Sequence, residues 1–252
     1  YSGKRTLPER GSLAGNKPAG RVTPPGGERV EGRMSALTID EMRNLLQASL
    51  KPKRFRHSCA VYETALELAR LYHADERKVA VAALLHDCGR EVPTPDSVAK
   101  ALALGLHPTP VECAQPVLLH AVLGPWFARE KYGVTDPDIL EAIRRHTTGG
   151  AGMDDLAKVV FLADMTEPGR DFPGVEELRK ASRRNLDEAM LMAYENTIQY
   201  LLDQQLLIHP DAVAGYNELA LARKEALAES YHGKLNQKTR PVAGKEKKEH
   251  GK

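Results

Sequence analysis

This sequence predicts an all-α protein, on three observations. Apolar residues recur at steps of three and four through most of the chain. No segment alternates apolar and polar residues as a half-buried strand would. Aromatic residues make up only 5%, so the core has to rest on Leu, Ala and Val, which suits helices better than sheets.

The 252 residues allow one large domain or two small ones, and the composition of the ends favours one. Residues 1–33 are rich in Gly, Pro, Arg and Ser and carry seven basic against three acidic residues, hence +4. Residues 233–252 carry seven against two, hence +5. The net charge is +2, so the middle of the chain stands at −7. Both ends lack periodicity and read as a disordered basic extension and a disordered Lys-rich tail around one domain at 34–232. Met34 reads as the start of the folded part. A solvated role suits such ends best, with weak RNA or ribosome contact as the functional alternative.

Thr38 caps the first helix, with Glu41 three residues on as its capping-box partner, and the helix runs to about Leu50. Lys51-Pro52 breaks the chain before a second helix that places His57, Val61, Ala65, Leu68 and Tyr72 on one face. Asp75 caps a third helix over about 76–87, whose apolar run Val79–Leu85 ends at His86-Asp87, with Gly89 as its stop. Asp96 or Ser97 caps a short helix that runs to about Leu104. A segment from about 111 to 121 ends near His120, Gly124-Pro125 interrupts, and a helix from Trp126 to Tyr132 follows.

Asp136-Pro137 is a cap with proline at the first helical position, and Ile139, Ala142, Ile143 and His146 line one face of the helix it opens. Thr147-Thr148-Gly149-Gly150 closes that helix. The next one aligns Met153, Leu156, Ala157, Val160, Phe161 and Asp164. After a turn-rich loop at 167–174 come helices at about 175–183, 185–206 and 211–232.

His57, His86-Asp87 and Asp164 thus each stand at the end of an apolar helical face. Buried imidazoles and carboxylates are costly unless paired, and a metal ion that takes them as ligands removes the cost. Neutral nitrogen with anionic oxygen suits iron, manganese, zinc or magnesium. A cation held there acidifies water and neutralises phosphate oxygens, which points to a metal-dependent phosphohydrolase. Asp87 can reach a second ion, so one or two ions fit, with His120 and His146 as ligands or phosphate contacts at that position. Arg170 and Arg54 read as phosphate clamps, because guanidinium matches phosphate oxygens. Cys59, Cys88 and Cys113 show no CxxC spacing, which implies free thiols in a reducing cytoplasm. No apolar stretch reaches the roughly 18 residues of a membrane span, and no signal-peptide pattern opens the chain.

The pattern His57 … His86-Asp87 … Asp164 resembles the signature of the HD-domain metal-dependent phosphohydrolases. Arg54-Phe55-Arg56-His57-Ser58, Leu84-Leu85-His86-Asp87, Ile143-Arg144-Arg145-His146-Thr147-Thr148-Gly149 and the stretch from Ala163-Asp164 to Gly174 resemble its YqeK branch over about residues 37–230. The resemblance implies a helical bundle around a metal site and symmetrical hydrolysis of diadenosine tetraphosphate to two ADP. It implies a divalent metal, iron first, on His57, His86, Asp87 and Asp164. It implies that His120, His146, Thr147 and Arg170 face the nucleotide phosphates, with Asp87, His120 and His146 as the catalytic set. Arg90 stands where the family often has lysine, which keeps the charge but not the compact ammonium. A nucleotide phosphohydrolase of other substrate range and an RNA-associated nucleotide sensor are the alternatives, and homodimerisation is left open.

Overall fold

A computed structural model describes residues 37–238. The basic extension at 1–33 and the tail beyond 238 lie outside the described residues. Among the described residues there are helices and no strand: α1 Ile39–Ser49, α2 Pro52–Tyr72, α3 Glu76–Leu85, α4 Ser97–Ala103, α5 Pro110–Ala114, α6 Leu119–Tyr132, α7 Pro137–Arg145, α8 Asp155–Thr166, α9 Val175–Ser182, α10 Leu186–Asp203 and α11 Pro210–Lys238. The all-α expectation is met.

Asp96, expected to cap α4, makes no side-chain cap bond, whereas three other capping residues do what their chemistry predicts. Thr38 and Glu41 form a reciprocal capping box. Asp75 accepts from the backbone N–H groups of Arg77 and Lys78, and Asp136 from those of Asp138 and Ile139. Helix α3 is the centre of the bundle. Every residue from Val79 to Leu85 is buried, and α3 packs against α2, α7 and α8. Each large side chain buried this way contributes about 1.5–3 kcal/mol, so an apolar run of this length fixes the helix in the interior. The ends of α2, α7 and α8 meet its C-terminus, which brings His57, His146 and Asp164 towards His86.

Four helices differ from the sequence reading. Helix α3 ends at Leu85, not at about 87, and a 3-10 turn over Cys88–Glu91 follows His86-Asp87. Gly89 lies inside that turn, where a Cβ would stand 2.1 Å from the backbone oxygen of His120 and 2.9 Å from the nitrogen of Gly124. Its role is therefore close approach of the turn to α6, not a helix stop.

Gly124-Pro125 does not interrupt either: α6 runs unbroken from Leu119 to Tyr132 through Pro125, with His120 in its first turn. Proline costs the helix one N–H donor. Burial of Leu119, Leu123, Phe127, Ala128 and Tyr132 along α6 outweighs that loss. Gly124 leaves room for Ile143 of α7, whose Cγ2 would lie 2.6 Å from a Cβ there. Finally, α10 stops at Asp203 instead of 206, and α11 extends to Lys238, past the expected end at 232.

Candidate metal centre

His86 enters the site with its orientation already set. Its Nδ1 lies 2.7 Å from the carbonyl oxygen of Ala83, so Nδ1 carries the proton and donates, and the lone pair on Nε2 faces inward. His120 and His146 repeat the device, with Nδ1 2.6 Å from the Val117 oxygen and 2.7 Å from the Ile143 oxygen. In all three the partner is the carbonyl three residues back, at the start or end of a helix. His57 uses a carboxylate instead: its Nδ1 is 3.1 Å from Oε1 of Glu167. Four imidazoles are thus held by their outer nitrogens with their Nε2 atoms turned to one interior.

Those Nε2 atoms meet the two aspartates in one continuous row. His57 Nε2 lies 2.9 Å from Asp164 Oδ1 and 3.3 Å from His86 Nε2. His86 Nε2 is 3.8 Å from Asp87 Oδ2 and 3.8 Å from Asp164 Oδ1. The other oxygen of Asp87, Oδ1, faces His120 Nε2 at 3.3 Å and His146 Nε2 at 3.7 Å. His120 and His146 approach each other at 3.0 Å, and the Thr147 hydroxyl lies 3.0 and 2.9 Å from them. Asp87 is therefore shared, one oxygen to each half of the row.

The donor set fits a cation. His120 and His146 both spend their proton on a carbonyl, so two lone pairs face each other at 3.0 Å, and a cation between such pairs turns a repulsion into two bonds. Three groups of ligand atoms lie close enough together to hold an ion: His57, His86 and Asp87; His86, His146 and Asp164; and Asp87, His120 and His146.

The charges agree with this. Burial pushes the His86 pKa down to about 4 and that of His120 well below the usual histidine range, so both stay neutral. Burial would raise Asp87 and Asp164. For Asp87 the neighbouring His86 and the charge of Arg90 override it, and for Asp164 the hydrogen bond from His57 does, so both carboxyls lie well below their usual value. Burial also opposes a charge on His57, but its bond to Asp164 prevails and its pKa is raised.

Arginines ring the anions. Arg90 Nε is 2.6 Å from Asp87 Oδ1, Arg54 Nη1 is 3.4 Å from Asp87 Oδ2, and Arg170 pairs with Asp164. They supply positive charge beside carboxylates that a metal ion would otherwise satisfy. All ten residues singled out in the sequence come together here.

Glu167 is the residue that sequence reasoning passed over as part of a loop. It is buried at 5% exposure and fixes His57. The available signal was its spacing, three residues after Asp164 and so on the same side of α8. Arg179 of α9 holds this loop, donating to the backbone oxygens of Thr166, Glu167 and Arg170 at 2.8–2.9 Å.

A family model described as "HD domain" matches residues 54–169, a span from Arg54 to the loop after Asp164. A symmetrical bis(5'-nucleosyl)-tetraphosphatase of Halalkalibacterium halodurans is 39% identical over 180 residues, covering 71% of this chain and 96% of the relative. The chain belongs to the HD-domain family, in its YqeK-type branch. A Bacillus subtilis relative of the same name is 36% identical over the same shares of both chains. The crystal structure of an HD superfamily hydrolase from Clostridium acetobutylicum, described as involved in NAD metabolism, superposes with a TM-score of 0.71. It is 35% identical and covers 74% of this chain and 98% of that one. HD domains are hydrolases that bind divalent metals, and the paired His and Asp side chains of this HD domain provide the groups for it. Among the described residues no helix is long and apolar enough to cross a membrane.

Proposed function

We propose that this HD-domain chain hydrolyses diadenosine tetraphosphate symmetrically, giving two ADP, with a divalent metal held by His57, His86, Asp87 and Asp164. The observation that carries the reading is the convergence of these four side chains, from three separate helical segments, around inward lone pairs and anionic oxygens. The names of relatives matched along nearly their whole length support the substrate. When bound, the metal supplies positive charge at the phosphate and acidifies water.

The chain's own groups do the rest. Asp87 orients both halves of the row through its two oxygens. Arg54, Arg90 and Arg170 exchange their carboxylate partners for phosphate oxygens and balance the charge that builds up as the bond to the leaving ADP breaks. His120 and His146 hold a second cation through their Nε2 lone pairs; where no second cation is bound, they take up protons at Nε2 and, with the Thr147 hydroxyl, hold the phosphate. Burial of His86 and His120 excludes water from the inner wall. The donor set of imidazole nitrogen and carboxylate oxygen without thiolate suits iron, manganese, zinc or magnesium alike, and the family resemblance puts iron first. Three free cysteines support a reducing, cytoplasmic setting.

Purified protein loaded with ferrous iron or manganese is incubated with diadenosine tetraphosphate and the products are separated by chromatography. ADP as the sole product is expected, and ATP with AMP overturns the reading. RNA contact through the basic ends is a separate proposal resting on their charge. It requires binding that weakens steeply with salt and vanishes when 233–252 is deleted.

A further inference from the structure

The two ends of the His/Asp row open into two different cavities. The larger, of about 1280 Å³, is lined by His57, Glu167 and Arg170, with Phe172 and Tyr200 among its walls. The smaller, of about 420 Å³, is lined by His120 and Arg90, with Pro93, Thr94 and Val117 among its walls. Arg54 lines both. Between them stand His86 and Asp87, both buried, with Asp87 shared by the two halves of the row. Each cavity therefore has a phosphate-binding end at the row and a wall that a nucleoside can cover. The smaller volume lies within the range of about 300–1,000 Å³ typical of small-ligand sites.

We infer that a symmetrical dinucleotide is held asymmetrically, with one nucleoside diphosphate half in the Phe172/Tyr200 cavity and the other in the Pro93/Thr94/Val117 cavity. This rests on the reaction proposed above. The central phosphate linkage lies over Asp87 and Arg54, and the outer phosphates reach Arg170 on one side and Arg90 on the other. On hydrolysis the oxygen of water forms a new bond to one central phosphorus. The bridging oxygen leaves with the bonding electron pair on the other ADP, and one proton is released. Each cavity then holds one ADP. The walls differ in kind. The larger offers the Phe172 and Tyr200 rings, on which a base stacks, and the smaller offers proline and aliphatic surface beside its charged groups, with no Phe, Tyr or Trp. The half in the smaller cavity is held less firmly and leaves first.

The test fills the smaller cavity. Thr94 and Pro95 are exposed on its wall, so Thr94→Trp and Pro95→Trp add bulk without entering the core. The full chain, loaded with manganese, is assayed on diadenosine tetraphosphate and on adenosine 5'-tetraphosphate, which has one nucleoside. The expected result is a KM for the dinucleotide raised about tenfold or more, with kcat within about twofold and the mononucleotide kinetics within about twofold of wild type. Equal changes for both substrates, no change for either, or a fall in kcat at constant KM overturns the assignment.

A calorimetric titration of the metal-loaded wild-type protein with ADP needs no variant: two binding events per chain are expected and a single one overturns the inference. Products of ATP and AMP from wild type would sink the proposed reaction instead, while the contrast between the two substrates would still read the cavity.

Discussion

The two halves of the row share Asp87 and differ in their carboxylates. On one side His57 and His86 face Asp164, and Glu167 stands behind His57, so the half is rich in carboxylate. On the other, His120 and His146 face a single oxygen of Asp87 and the Thr147 hydroxyl, and their outer nitrogens meet neutral carbonyls. A cation is attracted by net anionic charge and retained by ligands that cannot turn away. The Asp164 half has both. The His120 half has orientation without the charge, which suits a weaker ion or a phosphate oxygen. Geometry of similar quality can thus serve two purposes, and the count of carboxylates decides between them.

The largest effect is expected where the halves join. Asp87→Ala removes ligand oxygens from both, and hydrolysis should fall by a factor of about 10³, as loss of a principal charge-stabilising group does. Metal content measured alongside should drop as well. Retained hydrolysis would remove the metal reading.

Next, the carboxylate half breaks through Glu167. Glu167→Gln leaves a hydrogen-bond acceptor for His57 Nδ1 but removes the charge that makes the imidazole a better donor. Metal affinity measured by competition with a chelator should weaken about 10–100-fold. His120→Ala, by contrast, should leave that affinity nearly intact. Equal losses from the two variants would erase the distinction between the halves.

Acid should then disturb the metal-free protein, chiefly through the imidazoles that burial keeps neutral. The folded pKa of His86 is about 4, below the roughly 6.5 of an unfolded histidine, so between these values the unfolded chain binds the proton that the native site refuses. Stability is complete above about pH 6.5 and declines as pH falls towards 4. His120, lowered for the same reason, adds to the decline, and the depressed carboxyls Asp87 and Asp164 add theirs at lower pH. His57, whose pKa is raised, acts oppositely: its contribution is present at acid pH and is lost as pH rises through its folded value. Melting temperatures of the metal-free protein should therefore fall from pH 7 to 4.5, and a flat profile would contradict the burial argument.

The smallest effect belongs to Thr147→Val. It removes one hydroxyl between His120 and His146 without changing charge, and about 1 kcal/mol, or roughly fivefold in kcat/KM, is expected.

Sequence alone determined the all-α class, most of the helices, three of their caps and the ends of their apolar faces. Thr38, Asp75 and Asp136 act within a turn of their own position, and the run Val79–Leu85 could only be buried, so local chemistry sufficed. The same holds for the convergence of His57, His86, Asp87 and Asp164, because a costly polar group at the end of an apolar stripe is visible without coordinates.

Only the tertiary structure decided how these groups divide. That Asp87 turns one oxygen to each half depends on the 3-10 turn at Cys88–Glu91 lying against α6, which Gly89 permits by close approach across 31 positions of chain. That Glu167 rather than a backbone carbonyl holds His57 joins residues 110 positions apart. Pro125 sits inside α6 because packing outweighed a local rule. Spacing within one helix reports which face a residue occupies, but distances between helices follow from how their side chains interlock, and no single segment contains that information.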